Sequence, residues 1–145
     1  MGWRVLVPDA VVAAVKAEAE AAYPYECCGF LLGPDGGASP RAATEMIAVK
    51  NEREGDPARR RFAIGPADFL AAEREAEAQG LDVVGIYHSH PDHPAAPSGT
   101  DLEQAFPWYT YIIVAVDKGA AGEVTAWRLA GNRGAFEPEE IEVTP

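Results

Sequence analysis

The feature that most constrains this chain is a short apolar stretch, Leu81–Ile86, that runs directly into two histidines, His88 and His90. Its length and its β-branched residues predict a buried strand. Because alternate side chains of a strand share a face, we expect Val84 and Ile86 to point the same way as both histidines. Two imidazoles on one face, separated by one residue, can bind a single ion from the same side.

A loop with three prolines follows the histidines and leads to a short predicted helix that begins near Ser98–Thr100. Ser98 and Asp101 are three residues apart, so they would be neighbours in the first helical turn. Two histidines and one carboxylate are the three protein ligands that a catalytic zinc site needs. The same spacing also fits a helix N-cap with its acidic partner, so the residues alone leave both interpretations open.

The length of 145 residues, with no internal repeat or linker, predicts one domain over residues 1–145. A formal net charge of −11 makes nucleic acid an unfavourable partner. No apolar run approaches the length of a membrane span, so we expect no membrane partner. The adjacent cysteines Cys27 and Cys28 predict reduced thiols and a cytoplasmic location.

The rest of the chain mixes helical and strand patterns. Helices are predicted over Pro8–Ala22 and Pro66–Gln79, a turn at Pro34–Gly37, and strands over Glu26–Gly33, Thr44–Val49, Phe62–Ile64, Tyr111–Val116 and Glu123–Leu129. The tail 135–143 is expected to add an edge strand, and Lys50–Arg61 to form a mobile loop. This mixture predicts an α/β sandwich with a mixed, curved β-sheet flanked by helices.

Glu26 is a candidate general base because it opens an apolar strand, where an unpaired carboxylate would be costly. A surface position at the strand end is the alternative. Cys28 lies on the same predicted strand face, so a Cys–His hydrolase is a rival function, although such cysteines more often pack as small hydrophobes. A nucleoside deaminase is disfavoured because no Pro-Cys-x-x-Cys ligand pair follows the histidines.

These residues together carry a resemblance to a known family. Glu26, then His88-Ser89-His90, seven residues, Ser98, two residues and Asp101 resemble the signature of the JAMM (MPN-plus) metalloproteases. The match extends over nearly the whole chain, and further positions resemble the compact prokaryotic members: Asn51, Phe62, Pro66 and the run Gly85–Pro91.

The resemblance implies a cytidine-deaminase-like JAMM sandwich with one Zn²⁺ held by His88, His90 and Asp101. It implies that Glu26 holds and deprotonates the attacking water and that Ser98 hydrogen-bonds the oxyanion. It further implies a peptidase or isopeptidase that cleaves after the C-terminal Gly-Gly of a small ubiquitin-like or sulfur-carrier protein. A catalytically silent binding module of the same fold is the alternative.

Two features lie outside this signature. His93 is expected to be an exposed loop residue, with a contact to the site or the substrate as the alternative. The three arginines Arg59–Arg61 are expected to be solvated, with a contact to an acidic face of the carrier as the weaker hypothesis. The oligomeric state is left open, with a homodimer as one option.

Overall fold

The computed structural model describes residues 2–34, 40–129 and 134–145. The helices are α1 (Asp9–Ala22), α2 (Pro66–Ala78) and α3 (Gly99–Gln104), with a 3-10 turn at Asp56–Arg59. The strands are β1 (Trp3–Pro8), β2 (Cys28–Gly33), β3 (Arg41–Ala42), β4 (Glu45–Val49), β5 (Asp82–Pro91), β6 (Thr110–Asp117), β7 (Ala120–Leu129) and β8 (Phe136–Thr144). The turn predicted at Pro34–Gly37 lies mostly outside the described residues.

The described strands pair into one mixed sheet, in the order β3-β1-β8-β7-β6-β5-β2-β4. Strands β5 and β6 are parallel, as are β1 with β3 and β1 with β8, and the other pairs are antiparallel. The tail strand β8 lies between β1 and β7, so the prediction of an edge strand was wrong. Strand β1 was not among the predicted strands, and its pairing with β8 makes β8 an interior strand.

The two faces of the sheet carry separate apolar cores. Helix α1 buries Val11, Val15 and Ala19 in one core, together with Leu31 of β2. Helix α2 buries Ala72 and Ala76 in the other core, together with Phe30 and Leu32 of β2 and Ile86 of β5. Alternate residues of β2 thus enter opposite cores, as strand geometry requires. The α/β sandwich predicted from the sequence is confirmed.

A β-bulge in β5 changes which residues share the face of the histidines. Leu31 pairs with Gly85 and Leu32 pairs with Val83, which leaves Val84 as an extra residue in β5. Val84 therefore packs in the core of α1, whereas Ile86 packs in the core of α2. The expectation that Val84 and Ile86 point the same way was wrong because a strand with a bulge loses its alternation at that residue.

Arg41 stabilises this bulge from inside the protein. Its side chain is buried, and Nη1 donates to the carbonyl oxygen of Val84 at 3.0 Å and to Oγ1 of Thr110 at 2.9 Å. Desolvation lowers the pKa of Arg41 to about 10. A charged donor thus satisfies the carbonyl oxygen of the bulge residue in β5 and at the same time contacts Thr110 of β6.

The two irregular segments differ from their predictions in detail. Residues Phe62–Ile64 form no regular strand, but Ala63 is held by backbone and side-chain hydrogen bonds to Glu52 and Asn51. The segment predicted as a loop, Lys50–Arg61, contains the 3-10 turn, whose Ala58 is buried. No helix in the described part of the chain has the length and apolar character needed to cross a bilayer.

Candidate metal centre

The two histidines lie in the last part of β5, which is buried between β2 and β6. His88 and His90 are each 1% exposed, and their Nε2 atoms are 3.1 Å apart. Their one-residue separation places both rings on the same side of the strand. The structure thus confirms that the two imidazoles face one point.

Helix α3 brings the carboxylate of Asp101 to the same point. Ser98 is the N-cap: its Oγ accepts from the Asp101 backbone N–H at 3.0 Å, and its own N–H donates to Asp101 Oδ2 at 2.9 Å. This capping box fixes the side chain of Asp101. The same Oδ2 lies 3.3 Å from His88 Nε2 and 3.2 Å from His90 Nε2. Asp101 is therefore both the capping partner of Ser98 and a member of the candidate ligand set. The two interpretations of the Ser98–Asp101 spacing, a helix cap and a metal site, are compatible.

The spacing of these three donor atoms fits a zinc ion. Two imidazole nitrogens and one carboxylate oxygen lie between 3.1 and 3.3 Å from one another. Ligand atoms of a tetrahedral zinc with bonds of about 2.0–2.2 Å lie about 3.3–3.6 Å apart, so the three atoms are within a few tenths of an ångström of this spacing. The donor types and their spacing match a site with three protein ligands and one open position.

Contacts around the two rings fix their orientation. His90 Nδ1 is 2.7 Å from the carbonyl oxygen of Pro94, which can only accept, so Nδ1 carries the hydrogen and the Nε2 lone pair faces the site. Phe62 stacks on His88 with a centroid distance of 4.5 Å. Among the described residues, His88 Nδ1 has no hydrogen-bond partner. Burial lowers the pKa of His88, so this imidazole is neutral at pH 7 and can act as a ligand.

Glu26 reaches the site through the pairing of β2 with β5. Cys28 pairs with His88, and the Ser89 N–H donates to the carbonyl oxygen of Cys27 at 3.2 Å. One further residue along the same register brings Glu26 level with His90. The Glu26 residue is 2% exposed, and its Oε1 has no hydrogen-bond partner among the described residues. A buried carboxyl oxygen without a partner beside three donor atoms is suited to hold a water molecule.

The two carboxyl groups of the site have opposite electrostatic environments. Burial raises the pKa of Glu26 to about 9, and the negative charge of Asp101 adds to this effect. Burial alone would also raise the pKa of Asp101, but the two histidines beside its Oδ2 and the N–H of Ser98 outweigh this effect and hold the pKa well below its usual range. One group is therefore a permanent anion and the other is able to bind and release a proton.

His93 lies at the site, contrary to the expectation of an exposed loop residue. Its ring is half-buried and stacks on His90 with a centroid distance of 4.0 Å. Its Nδ1 is 2.9 Å from the carbonyl oxygen of Pro91. Glu26, His90 and His93 form a second group whose candidate ligand atoms lie within 4.8 Å of one another. The signal in the sequence was the proline-rich loop, which turns His93 back onto β5.

The two cysteines are unsuited to act as nucleophiles. Cys28 is fully buried, and its thiol lies 3.8 Å from the carbonyl oxygen of Val49, without a hydrogen bond to a histidine among the described residues. Burial raises the pKa of Cys27 to about 12 and that of Cys28 further still. A thiol that stays protonated is a poor nucleophile.

Asn51 connects the segment before α2 to this centre. Its Nδ2 donates to the carbonyl oxygens of Glu26 and Arg61, and its Oδ1 accepts from the N–H groups of Arg53 and Ala63. The Glu26 N–H donates to the Ala58 carbonyl oxygen at 2.7 Å. Residues 51–63 are thus hydrogen-bonded to the start of β2, next to Glu26.

A sandwich that joins two strand histidines, a capped aspartate and a buried glutamate has the features of the JAB/MPN class. The chain belongs to the family described as prokaryotic homologs of the JAB domain, which matches residues 8–130. The resemblance stated from the sequence is therefore confirmed.

Several relatives of this family have functional names. The chain is 36% identical over 105 residues to a desampylase of Pyrococcus furiosus, covering 72% of this chain and 67% of the relative. It is 31% identical over 125 residues to a desampylase of Haloferax volcanii, covering 86% and 84%. It is 30% identical over 132 residues to the CysO-cysteine peptidase of Mycobacterium tuberculosis, covering 90% and 86%.

Solved structures share the fold. A solution structure of a protein from Salinibacter ruber has a TM-score of 0.73 at 44% identity, covering 96% of this chain and 90% of that one. A solution structure of a protein from Desulfitobacterium hafniense has a TM-score of 0.82 at 25% identity, covering 97% and 92%. These two neighbours include a close sequence relative and a distant one, so the sandwich is common to both.

Proposed function

We propose that this chain is a single-domain zinc peptidase or isopeptidase. In this proposal its substrate is a small ubiquitin-like or sulfur-carrier protein, cleaved after the C-terminal Gly-Gly. The observation that carries the proposal is the convergence of His88 Nε2, His90 Nε2 and Asp101 Oδ2, with distances of 3.1 to 3.3 Å between them. The buried carboxyl of Glu26 lies beside them.

The names of the relatives support the substrate class. Two are named desampylase, one is named CysO-cysteine peptidase, and one from Thermus thermophilus is named probable TtuB-protein conjugate cleaving protease. The last two names describe a peptidase and a protease, which act on the type of bond that this proposal requires. The match to the Thermus protein covers 36% of this chain, so the other three carry the argument.

In this proposal His88, His90 and Asp101 hold the ion. When bound, zinc acts as a Lewis acid that lowers the pKa of water towards 7 and polarises a carbonyl group. Because burial lowers the pKa of His88 and the pKa of Asp101 lies well below its usual range, these two ligands need no proton loss at pH 7 to bind it. The tautomer of His90 is set by Pro94, which leaves its Nε2 lone pair for the ion.

Glu26 and Ser98 have separate roles in the proposed reaction. A bound cation favours the ionised form of Glu26, and in that form the carboxylate takes a proton from the attacking water and delivers it to the departing nitrogen. The Ser98 oxygen already accepts a hydrogen bond from the Asp101 N–H, which leaves its own hydrogen to donate to the oxyanion of the tetrahedral intermediate. Both groups lie next to the candidate ligands, so the attack of the water and the departure of the nitrogen would take place at the same small site.

A cavity beside the ligands offers a place for the carrier's tail. It has a volume of about 210 Å³, includes His88 and Asp101 in its wall, and is otherwise mostly apolar. The apolar wall residues are Phe62, Ala63, Ile64, Phe69, Ile86, Phe106 and Tyr111. An apolar side chain ahead of the two glycines would be desolvated there, and the glycines would let the backbone approach the ion closely.

The test is a cleavage assay combined with removal of the metal. The substrate is a ubiquitin-like protein extended beyond its Gly-Gly by a short peptide. We expect the zinc-loaded chain to cut after Gly-Gly, a chelator to abolish cutting, and added zinc to restore it. Iodoacetamide should leave the rate unchanged because both thiols are buried. Cutting that survives the chelator but not iodoacetamide would identify a Cys–His hydrolase, and failure to cut with zinc bound would identify a binding module.

A further inference from the structure

A second cavity, of about 560 Å³, lies next to the candidate metal centre. Its lining includes Arg59, Arg60 and Arg61 together with Pro91, His93 and Ser98. We propose that this basic cavity binds the free carboxylate of the group that leaves the substrate. The inference rests on the proposed peptidase function and specifies which extensions the site removes.

The arginines extend from a segment that is fixed against the site. The N–H groups of Arg60 and Arg61 both donate to the Pro57 carbonyl oxygen, at 3.2 and 3.0 Å. The Arg61 carbonyl oxygen accepts from Asn51 Nδ2 at 3.0 Å, and the buried Ala58 accepts from the Glu26 N–H. The backbone of this segment is hydrogen-bonded to Glu26, so the three guanidinium groups lie beside the candidate metal centre.

The cavity has more positive than negative charge. Arg59 has one weak ion pair, with Asp56 at 3.9 Å. In the described part of the chain, no acidic side chain lies within ion-pair distance of Arg60 or Arg61. Asp92 is the one acidic residue in the described cavity wall, and its oxygens already accept from the Tyr23 hydroxyl at 2.6 Å and the Lys118 N–H at 2.8 Å. The described cavity wall thus contains three arginines and one carboxylate, and that carboxylate is already hydrogen-bonded to other groups. This local excess of positive charge occurs in a chain whose net charge is −11.

The position of Glu26 indicates which part of the substrate enters this cavity. The departing nitrogen must receive a proton from Glu26. Glu26 itself lines a third cavity, but its carboxyl lies within 4.8 Å of a candidate ligand nitrogen of His93, and His93 lines the basic cavity, whereas the apolar cavity is lined by His88 and Asp101. The leaving group therefore lies towards the arginines, and the carrier's tail lies towards the apolar cavity.

A short leaving group carries a negatively charged carboxylate close to the scissile bond. When one residue follows the Gly-Gly, its carboxylate lies within about 4 Å of the scissile nitrogen. Guanidinium groups bind carboxylates with two parallel hydrogen bonds, which favours arginine over lysine for this task. A lysine side chain in an isopeptide bond, or a long extension, has no carboxylate at this distance. The cavity thus favours removal of one or a few C-terminal residues over cleavage of a protein conjugate.

The experiment compares three substrates of the zinc-loaded chain. A ubiquitin-like protein ending in Gly-Gly is extended by one alanine with a free carboxylate, by one alanine with a carboxamide, or by a long uncharged peptide. We expect kcat/KM for the acid to exceed that for the amide by about tenfold, as for a charged hydrogen bond. The double variant R60Q/R61Q should lose this preference and cleave the amide as the wild type does. Arg74→Gln, an exposed arginine of α2, is the matched control and should keep the preference.

Binding is measured separately by NMR, with the tripeptide Gly-Gly-Ala as free acid and as amide. We expect the acid to shift the side-chain Nε signals of Arg60 and Arg61 and the amide to leave them in place. Cleavage of acid and amide at equal rates would overturn the proposal. An equal loss for both substrates in R60Q/R61Q would also overturn it and would indicate an acidic face of the carrier as the arginines' partner. Preferred binding of the acid without any cleavage would support the anion site and refute the proposed peptidase.

Discussion

The segment before β2 and the first turn of α3 each supply one carboxyl group to the same centre, and the environments of the two groups differ. Glu26 lies two residues before β2 with one oxygen unpartnered among the described residues, and burial raises its pKa to about 9. Asp101 lies in α3, where the Ser98 N–H and the two neighbouring histidines hold its pKa well below the usual range. Burial alone therefore does not decide the protonation of a carboxyl group, because neighbouring donors and charges can outweigh it.

The largest effect on metal binding and activity should come from Asp101→Asn, which removes the negative charge from the three candidate ligand atoms. We expect the variant to lose stoichiometric zinc and to cleave the carrier substrate at background rate, because a neutral amide is a poor replacement for a carboxylate ligand. The variant should fold, since the amide oxygen can still accept from the Ser98 N–H and so keeps the cap. Native mass spectrometry of the folded variant measures the zinc. One tightly bound zinc and normal turnover after this substitution would show that Asp101 is only a capping residue.

Glu26→Gln is the matched change in the other carboxyl group, and it should separate metal binding from catalysis. We expect one zinc per chain, as in the wild type, and a kcat lower by about a thousandfold, because the amide cannot accept the proton from water. Single-turnover kinetics on the carrier substrate measure the loss. If kcat were unchanged in this variant, the base would be another group, of which His93 is the nearest candidate.

The residues of this centre could be identified from the sequence, but the way in which they approach one another could not be predicted from it. His88 and His90 could be placed on one strand face, and Ser98 and Asp101 in one helical turn, because both relations are local. The approach of Glu26 to His90 depends on the register of β2 against β5. This pairing is long-range: the hydrogen bond from the Cys27 N–H to Ser89 Oγ joins residues that are 62 positions apart in the sequence. The bulge at Val84 and the interior position of β8 are set by long-range pairing, and no local pattern predicts them.

Ser98→Ala should have a smaller effect than either carboxyl variant. We expect kcat to fall by about a hundredfold through loss of the oxyanion donor, and stability to fall by about 1 kcal/mol through loss of the N-cap. Ser98→Thr is the control, since threonine restores both the hydroxyl donor and the cap. Kinetics and urea unfolding of the two variants separate the roles. Full activity together with lowered stability in the alanine variant would reduce Ser98 to a capping residue.

The smallest effect concerns the stability of the chain without zinc. Glu26 has a folded pKa of about 9 against an ordinary value of 4.5, so the folded state binds its proton more tightly. This contribution is fully present below pH 4.5 and is lost as the pH rises through 9. Calorimetry of chelator-treated protein should therefore show a Tm that falls between pH 5 and 9 more steeply for the wild type than for Glu26→Gln. Parallel curves for the two proteins would contradict the raised pKa of Glu26.

Anomalous diffraction at the zinc absorption edge, from crystals of the zinc-loaded chain, would show whether one ion lies between β5 and α3. We expect a single strong peak at about 2.0–2.2 Å from His88 Nε2, His90 Nε2 and an oxygen of Asp101. A peak at the cysteines, or the absence of a peak near these three atoms in zinc-saturated crystals, would contradict this expectation.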